Sequence, residues 1–561
     1  MRQLARARPV FVAAPVILLF FFLAVDSLVG DSPTMDEQNH MARGLAFLRT
    51  GDPRFSLEHP PLVNSLSALP LLTLPEIRLP LDHPSWNMPE GWYAFAEQLL
   101  WVYNDDVERM VFLARVPIVF LALGLGLIGY RFGRHLWGKA GALIALTLLL
   151  FDPNLLAHGR YSTTDAGGTV FLFLAAFLMW RLWSKSAWRW RYLGAAAFGL
   201  GLALGSKLSN LVFVPVFALL AILPLYGTRW TWRDSGRRVV QYAIVLLLSW
   251  VVLWALFAFE WGAFRFQSEG LATLNQRAGP LPTYLAGVEQ ILQLSGGGRM
   301  AFLLGDFSAD GWWYYFPVAF GVKTPLFVTL LFLLAAILLM GSRVTRGRAS
   351  FLILPALVFL LVSMQSGLNI GYRHLLPMLP FLYTTAAGVT VLPGLASKPV
   401  RPVEHVTRLV LYGALLSVLL IDVLLHPHYL SYFNLAAGGP ANGHRVLVDS
   451  NIDWGQDLKR LDAWMSENSE DRIRLAWFGT ADPAYYGIAY DPLPGLTHHF
   501  ELWWDVPFDT ADPEPGVYAI SVSNLWELPL ADKSVFAAFR AREPDDRVGY
   551  SILIYRVQDS G

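Results

Sequence analysis

Asp36 and Glu37 stand side by side in "SPTMDEQNH" (32–40), a few residues beyond a long apolar run. A third acid, Asp165, closes "FDPNLLAHGRYSTTD" (151–165), which also carries His158 and Arg160. Lys207 lies in "GSKLSN". Lys323 follows the aromatic stretch "GWWYYFP", which includes Tyr314. "NIGYRHLLP" supplies Tyr372, Arg373 and His374, and "SLEHPPL" supplies Glu58 and His59. A carboxylate can take a proton from an attacking hydroxyl, and a second can hold a metal or face a phosphate. Lys207, Arg373 and His374 suit an anion such as a lipid phosphate, with His59, His158, Arg160 and Lys323 as competitors. The aromatic side chains suit a sugar face or an isoprenoid chain.

Elements that could bring these residues together follow from composition. The chain has 561 residues, 55% hydrophobic and 15% charged, against about 25% charged in soluble proteins. Its apolar residues come in blocks near the length of a bilayer span, which excludes an alternating β-barrel. Net charge is zero, which argues against nucleic acid as a partner. The absence of cysteine removes disulfides, thiolate catalysis and zinc–thiolate sites.

The sequence therefore predicts a polytopic α-helical membrane protein with about eleven spans. They fall near 10–29, 111–130, 140–152, 166–182, 191–204, 210–226, 239–259, 324–341, 350–365, 375–393 and 408–425. Short basic segments at 1–9, 131–139, 181–191, 229–238, 343–348 and 398–408 alternate with the spans as the positive-inside rule demands. The N-terminus, with Arg2, Arg6 and Arg8, is placed in the cytoplasm on an uncleaved first span. The other face receives a loop at 30–109, a second at 260–323 and a tail at 426–561. Within the first loop, Leu62–Leu74 is too short to span and suits an interfacial helix. The tail mixes "VYAISVS" and "YSILIYRV" with the helix-like "WGQDLKRLDAWM", and reads as a small extracytoplasmic α/β domain beside a 1–425 membrane module.

With that topology, every unusual polar motif gathers on the outer face. Each alone has a bland reading. The acid pair can be solvated, or Asp36 can cap the helix "EQNHMARGLAFL". "HPPL" can be a rigid turn, the aromatics an interfacial belt and "GYRH" snorkelling charge. Their convergence at membrane depth favours function. The parts are those of a membrane transferase with a lipid-phosphate donor. A transporter or flippase for a lipid-linked sugar is the alternative; it would show internal repeats and a midplane site. A non-catalytic scaffold would not need these charges at one rim.

The ordered set of acid pair, "HPPL", "PNLLAHGRYSTTD", "GWWYYFP…KTPL", "GYRHLLPMLPF" and "DSNIDWGQDL" resembles the GT-C glycosyltransferases. Within them it is similar to the protein O-mannosyltransferases and lipid A aminoarabinose transferases, over about residues 10–460. The resemblance implies a GT-C-like fold, a polyprenyl-phosphate sugar donor and transfer outside the cytoplasm with inversion at the anomeric carbon. It also implies a bacterial inner or plasma membrane location and a lipid, glycan or protein acceptor. It makes Asp36 the base, Glu37 its orienting neighbour and Asp165 the second acid. Glu58-His59-Pro60-Pro61 becomes the family's acidic-basic-Pro-Pro element. A divalent cation, Mg or Mn, is a candidate cofactor, with Asp36, Glu58 and Asp165 as its candidate ligands. The tail does not resemble the sugar-binding domain of eukaryotic mannosyltransferases.

Overall fold

Residues 9–88, 90–184, 188–225, 231–392, 402–496, 502–503, 508–509, 512–526 and 528–558 are described by a computed structural model. Of the basic segments, Arg2, Arg6, Arg8, Lys185, Arg229, Lys398 and Arg401 lie outside these residues. The chain is an integral membrane protein of the α-helical kind. Helices stand at all eleven expected positions, from Pro9–Val29 to Pro402–Leu425. Length and hydropathy support fewer complete spans. Six helices among the described residues are long and apolar enough to cross, or seven if Tyr315–Lys323 and Leu326–Gly341, bent by 112°, form one broken span. Others are short: Trp190–Leu204 has 15 residues, about 22 Å of helix against about 30 Å of hydrocarbon.

The expected second and third spans form one continuous element, Val107–Leu150. A straight helix of that length would be about 66 Å long, twice the hydrocarbon core. Gly138 resolves this, because its φ of 80° is open to glycine and breaks the helix there. The two limbs fold back on each other, with Gly126 and Gly129 set against Leu150 and Leu149. The expected basic loop at 131–139 is thus mostly helix, turning at a single residue.

The first loop has its own apolar core, built by Met41, Leu45, Phe55, Leu71, Trp92, Phe95 and their neighbours. Helix Glu37–Thr50 packs on Pro61–Ala68. Pro60 is extended and Pro61 opens the helix, a position where its missing N–H costs nothing. A helix stands where the interfacial one is expected, and it is partly buried: Val63, Asn64, Ser67, Ala68 and Leu71 face inward, while Leu69 and Leu72 remain exposed.

The tail forms a five-stranded mixed sheet. In chain order its strands are β1 (Ile473–Ala476), β2 (Tyr490–Pro492), β3 (Gly516–Ser521), β4 (Asp546–Val548) and β5 (Ile552–Val557), and their spatial order is β4-β5-β3-β1-β2. β3 pairs in parallel with β1 and antiparallel with β5. Alternation sends Ile473, Leu475, Ala519, Ile552 and Ile554 to one face, against helix Leu458–Asn468. Tyr518, Ile520 and Tyr555 turn to the other face, joined by Phe536 and Phe539. The helix begins at Leu458, four residues later than "WGQDLKRLDAWM" predicts. Asp449–Asn451 form a short 3-10 turn and 452–457 run as irregular chain, tied to the helices by Lys323 at Asn451 and Arg373 at Trp454.

Candidate active site

The turn after the first helix is pinned from the tail. Ser32 N–H donates to Gln456 O at 3.0 Å and Met35 N–H to Trp454 O at 2.9 Å; Ser32 Oγ donates to Gly455 O at 2.7 Å. This fixes the backbone on which Asp36 and Glu37 sit, and the two carboxylates diverge. Glu37 is fully buried and turns inward. It accepts Arg115 Nε at 2.9 Å and Nη2 at 2.7 Å. It also accepts the backbone N–H groups of Ser162 and Thr34, each at 2.8 Å, and Thr34 Oγ1 at 3.1 Å. Both its oxygens are saturated, so the structure does not bring Glu37 to the cluster that its neighbour joins.

Asp36 occupies the N-cap position of helix Glu37–Thr50 but makes no side-chain cap bond. Its Oδ2 accepts Arg373 Nη1 at 2.7 Å instead. The same Nη1 lies 3.6 Å from Asp165 Oδ2, and Asp165 Oδ1 accepts the Lys207 ammonium. The four residues form one chain of alternating charge, Asp36–Arg373–Asp165–Lys207, drawn from four separate segments. Asp165 sits in the first turn of helix Thr164–Trp183, where the helix dipole favours an anion. Lys207 lies on extended backbone beside that helix. It fits there because residue 168 is glycine: a Cβ at that position would stand 2.9 Å from Lys207 Cβ. Arg373 is the second residue of the Tyr372–Met378 turn, and its guanidinium lies 4.4 Å over the Trp454 ring.

A second group borders this chain. His59 Nδ1 lies 3.3 Å from Thr164 Oγ1, and its ring meets that of His40 at 4.6 Å. Burial, helped by Arg43, lowers His40 to about 4. Burial, His40, Arg43 and Lys207 hold His59 well below the usual histidine range. Both rings are therefore neutral at pH 7. Glu58 is held by Arg43 at 3.0 Å, and Arg43 lies over Trp92 at 4.8 Å. His158 meets Trp454 edge-on at 5.7 Å, and His374 lies 6.4 Å from Phe316. Among the described residues, His158 Nδ1 and His374 Nε2 have no hydrogen-bond partner.

The remaining expected residues sit elsewhere. Arg160 pairs with Asp31 at 2.7 Å, and Asp31 also accepts Tyr161 OH and Arg460, each at 2.7 Å. Burial raises the Asp31 carboxyl, but Arg160, Arg460 and Arg115 outweigh it and hold the group below the usual range. Lys323 donates to the carbonyls of Leu430 at 2.8 Å and Asn451 at 2.6 Å. Tyr372 is buried, its hydroxyl 2.9 Å from Thr324 Oγ1. Tyr314 is exposed and packs edge-on against Trp313. Arg160, Lys323, Tyr372 and Tyr314 thus do not join the charge chain.

Sequence reasoning passed over Arg43, His40, Arg115 and Trp454. Arg115 carried a readable signal, as a lone arginine in "VFLARVPIVF". The candidate metal ligands do not fit a divalent cation. Asp36, Asp165 and Glu58 each rest on a basic side chain, and the described residues contain no group of three or more His, Asp or Glu able to hold an ion.

Residues 106–254 match the sequence model of a family described as dolichyl-phosphate-mannose-protein mannosyltransferase. That stretch supplies Arg115, Asp165 and Lys207. No curated protein matches the chain. Among solved structures, the chain is similar to ArnT from Cupriavidus metallidurans bound to undecaprenyl phosphate, with 14% identity, 98% of this chain and 99% of that one covered, and a TM-score of 0.49. It is similar to the Archaeoglobus fulgidus oligosaccharyltransferase, with 10% identity, 93% and 72% covered and a TM-score of 0.44. For the Saccharomyces cerevisiae Pmt1–Pmt2 complex bound to its sugar donor, the values are 16% identity, 46% and 35% covered and a TM-score of 0.33.

Proposed function

We propose that the chain is an inverting membrane glycosyltransferase. It moves a sugar from a polyprenyl-phosphate carrier to an acceptor hydroxyl on the extracytoplasmic face. The observation that carries this reading is the charge chain Asp36–Arg373–Asp165–Lys207. Two cations and two acids meet there, and the match at 106–254 to a lipid-phosphate-mannose transferase family supplies the second half of it.

The chemistry follows from charge. The four groups sum to zero, and the donor phosphodiester adds one negative charge. In the reaction the acceptor oxygen attacks the anomeric carbon from the face opposite the phosphate. The bond from that carbon to the phosphate oxygen breaks, its electron pair stays on the phosphate, and the sugar carbon is inverted. The leaving phosphate gains charge as the bond lengthens. Lys207 and Arg373 are placed to offset that charge, an effect strongest where water is excluded. Asp36 receives the hydroxyl proton. Its side chain is 27% exposed and Arg373 engages only Oδ2, which leaves Oδ1 for the acceptor. Asp165 holds both cations in register. Glu37, locked on Arg115, sets the backbone that carries Asp36.

In this reading residues 1–425 form the catalytic membrane module and 426–561 an outer domain. The N-terminus is cytoplasmic, and the membrane is a bacterial inner or plasma membrane. Mass spectrometry of envelope glycans and lipids from cells with and without the gene tests the reading. A sugar lost from one acceptor class, with its polyprenyl-phosphate form accumulating, is the expected result. Unchanged glycans and lipid intermediates would overturn it.

A further inference from the structure

The motif "DSNIDWGQDL" lies beyond the last membrane helix, yet its tryptophan is 1% exposed and sits in the reaction site. Trp454 grips both partners of the Asp36–Arg373 pair. Its carbonyl accepts the N–H of Met35, the residue before Asp36, at 2.9 Å. Its ring carries the Arg373 guanidinium at 4.4 Å. The ring is wedged edge-on against His158 at 5.7 Å and Tyr161 at 6.1 Å, and Gln456 Oε1 accepts its backbone N–H at 2.9 Å. Arg373 needs such a support. Its Nη1 is shared between two carboxylates, and its buried Nε has no partner among the described residues. Hydrogen bonding alone therefore leaves the guanidinium plane underdetermined. An aromatic face attracts a guanidinium and fixes the plane in which it lies.

We propose that Trp454 is a positioning residue through which the tail completes the reaction site, holding Arg373 in the plane that meets Asp36, Asp165 and the leaving phosphate. The tail is then part of the catalytic unit, because the ring and the strap Ser450–Asp457 come from it. This inference rests on the reading of Asp36 and Arg373 as reaction-site residues.

The test is a double-mutant cycle on the purified full-length protein, with turnover of a polyprenyl-phosphate sugar measured beside melting temperature. Trp454→Leu should lower kcat about 10- to 100-fold, the cost of a small misplacement in a reaction site. Trp454→Phe, which keeps an aromatic face, should recover most of that loss. In an Arg373→Ala background, Trp454→Leu should cost nothing further. If Trp454→Leu does not fold, Trp454→Met takes its place in the same cycle. Wild-type turnover in the aliphatic variant would overturn the proposal. So would an equal loss with and without Arg373, since Trp454 would then act by packing alone. If the wild-type protein turns over no such donor, the glycosyltransferase reading fails. The positioning claim is then decided by an experimental structure of the aliphatic variant. Arg373 displaced from Asp36 supports it, and the pair intact at about 3 Å, an ordinary charge-assisted distance, overturns it.

Discussion

Two ionic assemblies in this protein, joined in sequence at Asp36 and Glu37, are both built from carboxylates and basic side chains. In the first, Glu37 meets Arg115 and Asp31 meets Arg160, with side chains 0–2% exposed. Every carboxylate oxygen there has at least one donor, and Arg115 also donates to the carbonyls of Leu28, Asp31 and Ser32. In the second, Asp36, Arg373 and Lys207 keep 27%, 12% and 11% of their side-chain surface while Asp165 is buried, and Asp36 has one oxygen uncommitted. In the proposed reading, the difference separates support from chemistry. A dry ion pair whose carboxylate oxygens are all engaged is costly to break. An unsaturated one at the edge of water can exchange partners when a phosphate or hydroxyl arrives. Adjacent residues in the sequence, Asp36 and Glu37, fall on opposite sides of this divide.

The sharpest way to break the comparison is to remove a partner from the saturated assembly. Arg115→Met leaves Glu37 as a buried, unpaired charge and should destabilise the fold by about 3–5 kcal/mol. Thermal unfolding in detergent, or loss of correctly inserted protein, reads this directly. A melting temperature equal to the wild type would erase the distinction.

A smaller effect is expected from the unsaturated assembly. Lys207→Ala should weaken polyprenyl-phosphate binding by about 1.5–3 kcal/mol, the value of a hydrogen bond to a charged group. Folding should change less than in Arg115→Met, because Arg373 and Thr163 still face the Asp165 carboxylate. Binding of a polyprenyl phosphate to the purified variant measures the first quantity and its melting curve the second. Unchanged lipid-phosphate affinity would remove Lys207 from the donor site.

The smallest effect concerns pH. His40 is buried neutral, with its folded value lowered to about 4 from 6.5. Between those values the unfolded chain binds the extra proton and the folded chain does not. The stability from this group is therefore full above pH 6.5 and is lost as pH falls from 6.5 towards 4. The expected loss is about 1 kcal/mol between pH 7 and 5.5, and His40→Asn should remove it. A slope unchanged in the variant would assign the pH dependence to other groups.

The helices and the polar motifs were legible in the residues, whereas the division between Asp36 and Glu37 was not. Long apolar blocks gave the helices, and the alternation of basic segments gave a consistent order for them. The motifs around Asp36, Asp165, Lys207 and Arg373 were singled out by residue type, and the fold brings all four into contact. Spans were harder to count because Gly138 joins two helices with one residue, where a loop of nine was expected. Helix Trp190–Leu204 also stops short of a full crossing. Arg160, Tyr372 and Lys323, expected residues that stay outside the charge chain, share one feature. Arg160 and Tyr372 share motifs with Asp165 and Arg373 while Lys323 lies in a motif of its own, and their partners Asp31, Thr324, Leu430 and Asn451 stand more than 40 positions away. One-dimensional spacing does not record such contacts. Trp454 escaped notice for the same reason, since its partners Met35 and Arg373 lie far upstream.

The central claim is that Asp36 performs chemistry while Glu37 holds the fold. Turnover per folded molecule of purified Asp36→Asn, with a polyprenyl-phosphate sugar as donor, tests it most directly. The substitution keeps the shape of the side chain and removes the base. The account predicts a fall of about 10²- to 10⁴-fold with a melting temperature close to the wild type. Near-normal turnover by the folded variant would contradict it.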